Sequence, residues 1–146
     1  MSRVKVNFPQ KNPIFIAYIP LRITDMNYGN HLGNDIMLSI MHEARMQFLA
    51  SNGFNELNAG GVGMIMADVM ISYKSEGFYG DILKVELFVD EITSRSFDFL
   101  YKITTIRENT SISLAEAKTG MVSYNYDTKK VSVSSSSLIE IFKKEL

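Results

Sequence analysis

Only one long segment of this chain carries a helical period, and almost everything after it alternates with the period of strands. Between Asp35 and about Ser51, the apolar residues Ile36, Met37, Ile40, Met41, Ala44 and Phe48 recur at i, i+3 and i+4 spacing. Asp35, Ser39, His42, Glu43 and Gln47 take the opposite side, while Leu38 and Leu49 widen the apolar arc. A rod this apolar must be enclosed on most of its circumference. An apolar run follows at residues 62–73, then three alternating segments at 85–89, 97–103 and 112–126. The connections between those three are short, which makes them antiparallel, because parallel neighbours need long crossovers. One enclosed helix and one antiparallel meander give an α+β layout in which the sheet wraps the helix. An open sheet of this kind leaves edges that must be covered or paired, which predicts a homodimer or homotetramer.

At 146 residues the chain is expected to form one domain over 1–146, with its core at about 14–134. Pro9 and Pro13 close a short leading segment, and residues 15–19 predict a first strand that ends at Pro20. Asn34 is the expected N-cap of the long helix and Gly53 its C-terminal stop. Ser137 with Glu140 has the capping-box pattern for a short last helix at about 137–145, and the serines at 132–137 are expected to be a plain connector.

Charge and composition exclude several classes of function. Fifteen basic and sixteen acidic residues leave a net charge of -1 with no basic cluster, which argues against nucleic acid as a partner. There is no Cys, so disulfides and thiolate chemistry are out, and two His residues without a flanking ligand cluster predict no metal site. No phosphate loop or nucleophile elbow is present, and no cofactor is predicted. No apolar run approaches the roughly 20 residues of a membrane span, so no membrane partner is expected and the cytoplasm is the expected location.

The chemistry concentrates in the bend ahead of the long helix. Asp25, Asn27, Asn30, His31 and Asn34 fall within ten positions that run directly into the helix start. A helix N-terminus offers unpaired N–H groups and a partial positive charge, which suit an anion or a developing oxyanion. Asp25 is a candidate base or nucleophile, or else a loop carboxylate that bonds nearby amides. Asn27 can orient water but cannot take a proton. His31 suits acid–base work near neutral pH, or orients Asp25. Asn34 matters through its backbone N–H. Glu43 lies roughly 13 Å further along the helix axis, too far to share a site at its own helix tip. It is either a solvated or paired carboxylate on the polar face or one that reaches a partner subunit's site.

Asp25-Met26-Asn27-Tyr28-Gly29-Asn30-His31-Leu32-Gly33-Asn34, followed by Glu43-Ala44-Arg45, resembles the D-x-D-x-x-G-H-x-x-N and E-A-R pattern of the hotdog-fold acyl-CoA thioesterases. The likeness is to the group related to 4-hydroxybenzoyl-CoA thioesterase. Tyr73-Lys74, Tyr79-Gly80-Asp81 and the three-strand tail also fit, so it covers about residues 14–134. The resemblance implies a five-stranded antiparallel sheet around the central helix, paired into a dimer with sites at the subunit interface. It implies hydrolysis of an acyl-CoA thioester, or of an acyl carrier protein thioester, by a carboxylate with the helix-start amide as oxyanion donor. Asn34 falls at that amide.

This chain departs from the pattern at two places. The usual catalytic acid, the second Asp, is replaced by Asn27, and the Gly of the G-H pair by Asn30. The expectation is that Asp25 takes over, with Asn27 and His31 orienting water, so that Asp25→Asn costs at least about tenfold in turnover. Glu43 acting across the dimer is the alternative. Two other functions compete. Hotdog hydratases carry D-x-N-P-x-H, but here the His is one residue further on and the Pro is missing. A non-catalytic acyl-CoA binding module is the third.

Overall fold

The computed structural model describes residues 1–146. In chain order the elements are β1 (Phe15–Pro20), a single 3-10 turn (Ile23–Asp25), α1 (Ile36–Ser51), β2 (Gly63–Tyr73), β3 (Ile82–Asp90), β4 (Ser96–Arg107), β5 (Thr110–Asn125), β6 (Lys130–Val131) and α2 (Ser136–Phe142). The sheet runs β1-β3-β4-β5-β2, antiparallel throughout, and β6 adds to β5. The meander β3-β4-β5 is the one the alternating segments predict. Its second turn is a two-residue hairpin in which Glu108 and Asn109 both have positive φ (51° and 61°), the geometry that matches strand twist.

The sheet has six strands, not the expected five. Asn125 accepts from the amides of Asp127 and Thr128 at 2.9 and 3.1 Å, and this Asx turn folds the chain back so that Lys130 and Val131 pair with β5. α1 is not the only helix in the core either. α2 inserts Leu138 and Phe142, and the Phe142 ring lies 4.9 Å from Phe97 and 5.7 Å from Phe99.

The buried side of α1 is as the period predicts: Met37, Ile40, Met41, Ala44, Phe48 and Leu49 pack against Val85, Leu87, Phe99 and Ile103 and the rest of one core. Its end is a Schellman motif. Gly53 sits at φ 74°, Phe54 N–H donates to Leu49 O at 2.8 Å and Gly53 N–H to Ala50 O at 3.0 Å. Its start differs from expectation: Asp35, not Asn34, is the N-cap, and no side chain caps it.

The serine stretch is more than a connector. Ser135, two residues earlier than predicted, caps α2 by accepting from Leu138 N–H at 3.1 Å and donates to Ala59 O at 2.6 Å. Ser134 and Ser123 hydroxyls meet at 2.6 Å in a buried pair. Residues 1–13 form no strand, and Phe8 packs edge-on against Phe88 on the outer sheet face, at 5.2 Å. No helix is long and apolar enough to cross a membrane.

Candidate functional site

The bend between β1 and α1 is held by its own polar groups. Asn27 Oδ1 accepts from Gly29 N–H at 2.9 Å and from His31 N–H at 3.4 Å, while Asn27 N–H donates to His31 O at 2.8 Å. This closed turn needs a side-chain oxygen at position 27, which Asn supplies as well as Asp does. Asn30 has φ 63°, a left-handed conformation that Gly takes freely and Asn tolerates best among other residues. Both departures from the resembled pattern therefore keep the loop's shape.

That shape presents His31. Its Nδ1 is 3.2 Å from Leu32 O, and because a carbonyl only accepts, Nδ1 carries the hydrogen and Nε2 is the basic nitrogen. A Cβ built on Gly29 would meet Nε2 at 3.2 Å, so the ring rests against the glycine face of the turn. Leu32 N–H donates to Gly77 O at 2.7 Å, which docks the bend onto the loop between β2 and β3.

The start of α1 is fixed next. Ile36 N–H donates to Gly33 O at 3.1 Å, and Tyr73 of β2 donates its hydroxyl to Asn34 O at 2.6 Å. Burial, and then Asp35, raise the Tyr73 pKa, so the phenol keeps its proton and stays a donor. Asn34 N–H itself makes no hydrogen bond within the chain. With His31, Gly33, Met37, Tyr73, Lys74 and Glu76 it lines a cleft of about 330 Å³. An unpaired amide at a helix start is the kind of donor an oxyanion requires.

Asp25 is elsewhere. It is buried, and both carboxylate oxygens face Arg22: Oδ2 accepts from Arg22 N–H at 2.7 Å and Oδ1 from the guanidinium at 3.3 Å. With Asp25 N–H on Arg22 O at 3.0 Å, these bonds close the 3-10 turn. Asp25 lines a separate groove of about 470 Å³ between β1 and α1, together with Tyr18, Arg22, Ser39, Glu43 and Gln47. The five predicted residues thus divide within one chain. His31 and Asn34 share the cleft, Asp25 and Glu43 share the groove, and Asn27 shapes the bend. Glu43, expected to be too far along α1 to share a site at its own helix tip, does not line the cleft with Asn34; it borders the same groove as Asp25, where it accepts from Gln47 at 3.2 Å.

Two polar groups escaped the sequence reading. Arg45, which the sequence shows only within the E-A-R run, is buried and bonds Glu56 at 3.2 Å and the Tyr101 hydroxyl at 3.1 Å, and Tyr101 meets Thr119 at 2.6 Å. Burial would lower the Arg45 pKa, but Tyr101 and Glu56 more than offset it and the net direction is up. The available signal was position: 45 falls four residues after Met41 and three before Phe48, on the apolar arc. Glu76 carried no signal at all, since only the docking of the two loops brings it to His31. Gly80-Asp81 is a turn as expected, with Asp81 N–H on Phe78 O at 3.0 Å. Its carboxylate also holds Arg107.

The fold and this cleft can be set beside known proteins. The model of the thioesterase-like superfamily matches residues 21–142. The chain belongs to that superfamily. A relative from Aquifex aeolicus (strain VF5), named "Putative esterase", is 30% identical over 82 residues, which is 55% of this chain. The chain spans about 62% of that relative's length. Among solved structures, the 1,4-dihydroxy-2-naphthoyl-CoA thioesterase from Synechocystis has a TM-score of 0.77 at 19% identity, covering 88% of this chain and 94% of that one. A gentisyl-coenzyme A thioesterase has a TM-score of 0.74 at 18% identity, covering 88% and 99%. Both solved structures share this α+β architecture.

Proposed function

We propose that this protein hydrolyses acyl-CoA thioesters to free acid and CoA in the cytoplasm, as a single-domain homodimer or homotetramer. The observation that carries the reading is the unpaired Asn34 N–H beside the His31 ring in one cleft. The amide receives the oxyanion and the imidazole handles the proton of the attacking water. Membership of the thioesterase-like superfamily supports the reaction class. Oligomerisation is supported by β2, an eleven-residue edge strand with Met66 and Val69 about 40% exposed and no partner on its outer side.

The names of two structural neighbours specify hydroxylated aromatic acyl groups, so that class leads the panel to be tested. The test is release of free thiol from aromatic and aliphatic acyl-CoAs. Wild type is expected to turn over at least one of them, and His31→Gln to lower kcat about 100-fold or more. Thiol release from none of the panel would reject the hydrolase reading. A second version of the same reaction, with a carboxylate as base, is favoured by one observation: Asp25 and Glu43 border a common groove. Under that version Asp25→Asn, not His31→Gln, carries the large loss.

A further inference from the structure

The cleft with the free amide has no acid at position 27, where the resembled pattern puts one, because Asn27 cannot ionise and its oxygen is engaged in the turn. It does hold another carboxylate. Glu76 Oε1 lies 3.8 Å from His31 Nε2, the basic nitrogen of the ring. The two residues come from different loops, joined by the bond from Leu32 N–H to Gly77 O. The Glu76 backbone is anchored independently, its carbonyl accepting from Arg107 at 2.7 Å, and Arg107 in turn is held by Asp81. The Glu76 side chain makes no other ion pair.

We propose that Glu76 is the positioning carboxylate of this site. It acts on His31 from 3.8 Å, beyond hydrogen-bond reach, by stabilising the imidazolium that forms as the water attacks, while the bond from Nδ1–H to Leu32 O sets the ring. The proposal rests on the hydrolase reading above. Water oxygen bonds to the thioester carbonyl carbon, its proton passes to His31 Nε2, and the carbonyl electron pair moves onto the oxygen that faces Asn34 N–H. Collapse restores the C=O bond and breaks the C–S bond, and the proton goes from Nε2 to the CoA sulfur. A carboxylate from the β2–β3 loop thereby does the work of one lost from the β1–α1 loop.

The other titratable groups lining the cleft are Lys74, whose ammonium is 3.7 Å from Glu116, and Tyr73, with Asp35 near Tyr73. The experiment compares wild type, Glu76→Gln and Glu76→Asp by thiol release between about pH 5 and about pH 9, spanning the usual imidazole range. Without the carboxylate the imidazolium is less favoured, so the rising limb of kcat/KM should move to lower pH. The kcat of Glu76→Gln should fall about tenfold with KM within about twofold, and Glu76→Asp should recover part of the loss. Wild-type kcat and an unmoved limb in Glu76→Gln would overturn the proposal while leaving the hydrolase reading intact. The NMR ring resonances of His31 decide the pairing even if no substrate is found. Glu76→Gln should shift them and leave those of His42, the other histidine, in place. Unshifted His31 resonances would sink the pairing.

Discussion

Two hollows flank the first turns of α1, and they differ in whether their polar groups are already committed. In the groove between β1 and α1, Asp25 is buried and held by two donors of Arg22. In the cleft between α1 and the β2–β3 loop, Asn34 N–H has no partner and His31 Nε2 faces only a distant carboxylate. A carboxylate that closes a local turn stabilises the fold through those bonds and loses them if it turns to substrate. An orphan amide and a free ring nitrogen have no such conflict. Residue type alone made Asp25 the better base. The hydrogen-bond partners of each group favour the cleft.

The sharpest way to break this contrast is to neutralise the groove. Asp25→Asn should reduce stability by about 1–2 kcal/mol, because an amide can replace only one of the two acceptors that Arg22 bonds. Its turnover should stay within about threefold of wild type once the fold is intact. Denaturant unfolding and thiol release on the same preparation separate the two effects. A tenfold loss of turnover without loss of stability would return the base to the groove, and Glu43→Gln would then show whether Glu43 shares the work there.

Much of this arrangement was legible in the residues, and the rest was not for definite reasons. The period of 36–48 named the buried face of α1, and alternation named the meander, because both follow from side-chain direction alone. The Asn27-Gly29-Asn30 turn and the Gly53 stop were readable because those residue types suit bonds or φ angles that others disfavour. The division of Asp25 from His31 was not readable. It depends on which way a side chain leaves a non-repeating backbone, and on the contact of Leu32 with Gly77, 45 positions later in the chain. The burial of Arg45 is hidden for a related reason: a buried guanidinium is tolerable only because Glu56 and Tyr101, both distant in sequence, meet it.

A smaller effect is expected from the group that fixes the helix start. Tyr73→Phe removes the 2.6 Å bond to Asn34 O, so the peptide planes around the oxyanion donor gain freedom. The kcat should fall about three- to fivefold, with KM nearly unchanged, since the bond does not touch the substrate. An effect confined to KM would mean that Tyr73 contacts the acyl-CoA directly and that the amide needs no such support.

The smallest effect is the most discriminating for the role of Asn34. If the residue acts through its backbone N–H, its side chain is dispensable, and Asn34→Ala should keep kcat within about twofold. Stability should hardly change either, because Asp35 is the N-cap and the Asn34 side chain makes no hydrogen bond. A Pro at the same position deletes the N–H, and turnover should then drop by about 100-fold, the scale of losing one oxyanion donor. Circular dichroism of the Pro variant shows whether α1 still forms. Equal losses in the Ala and Pro variants would place the chemistry on the Asn34 side chain, and the unpaired amide would no longer distinguish one hollow from the other.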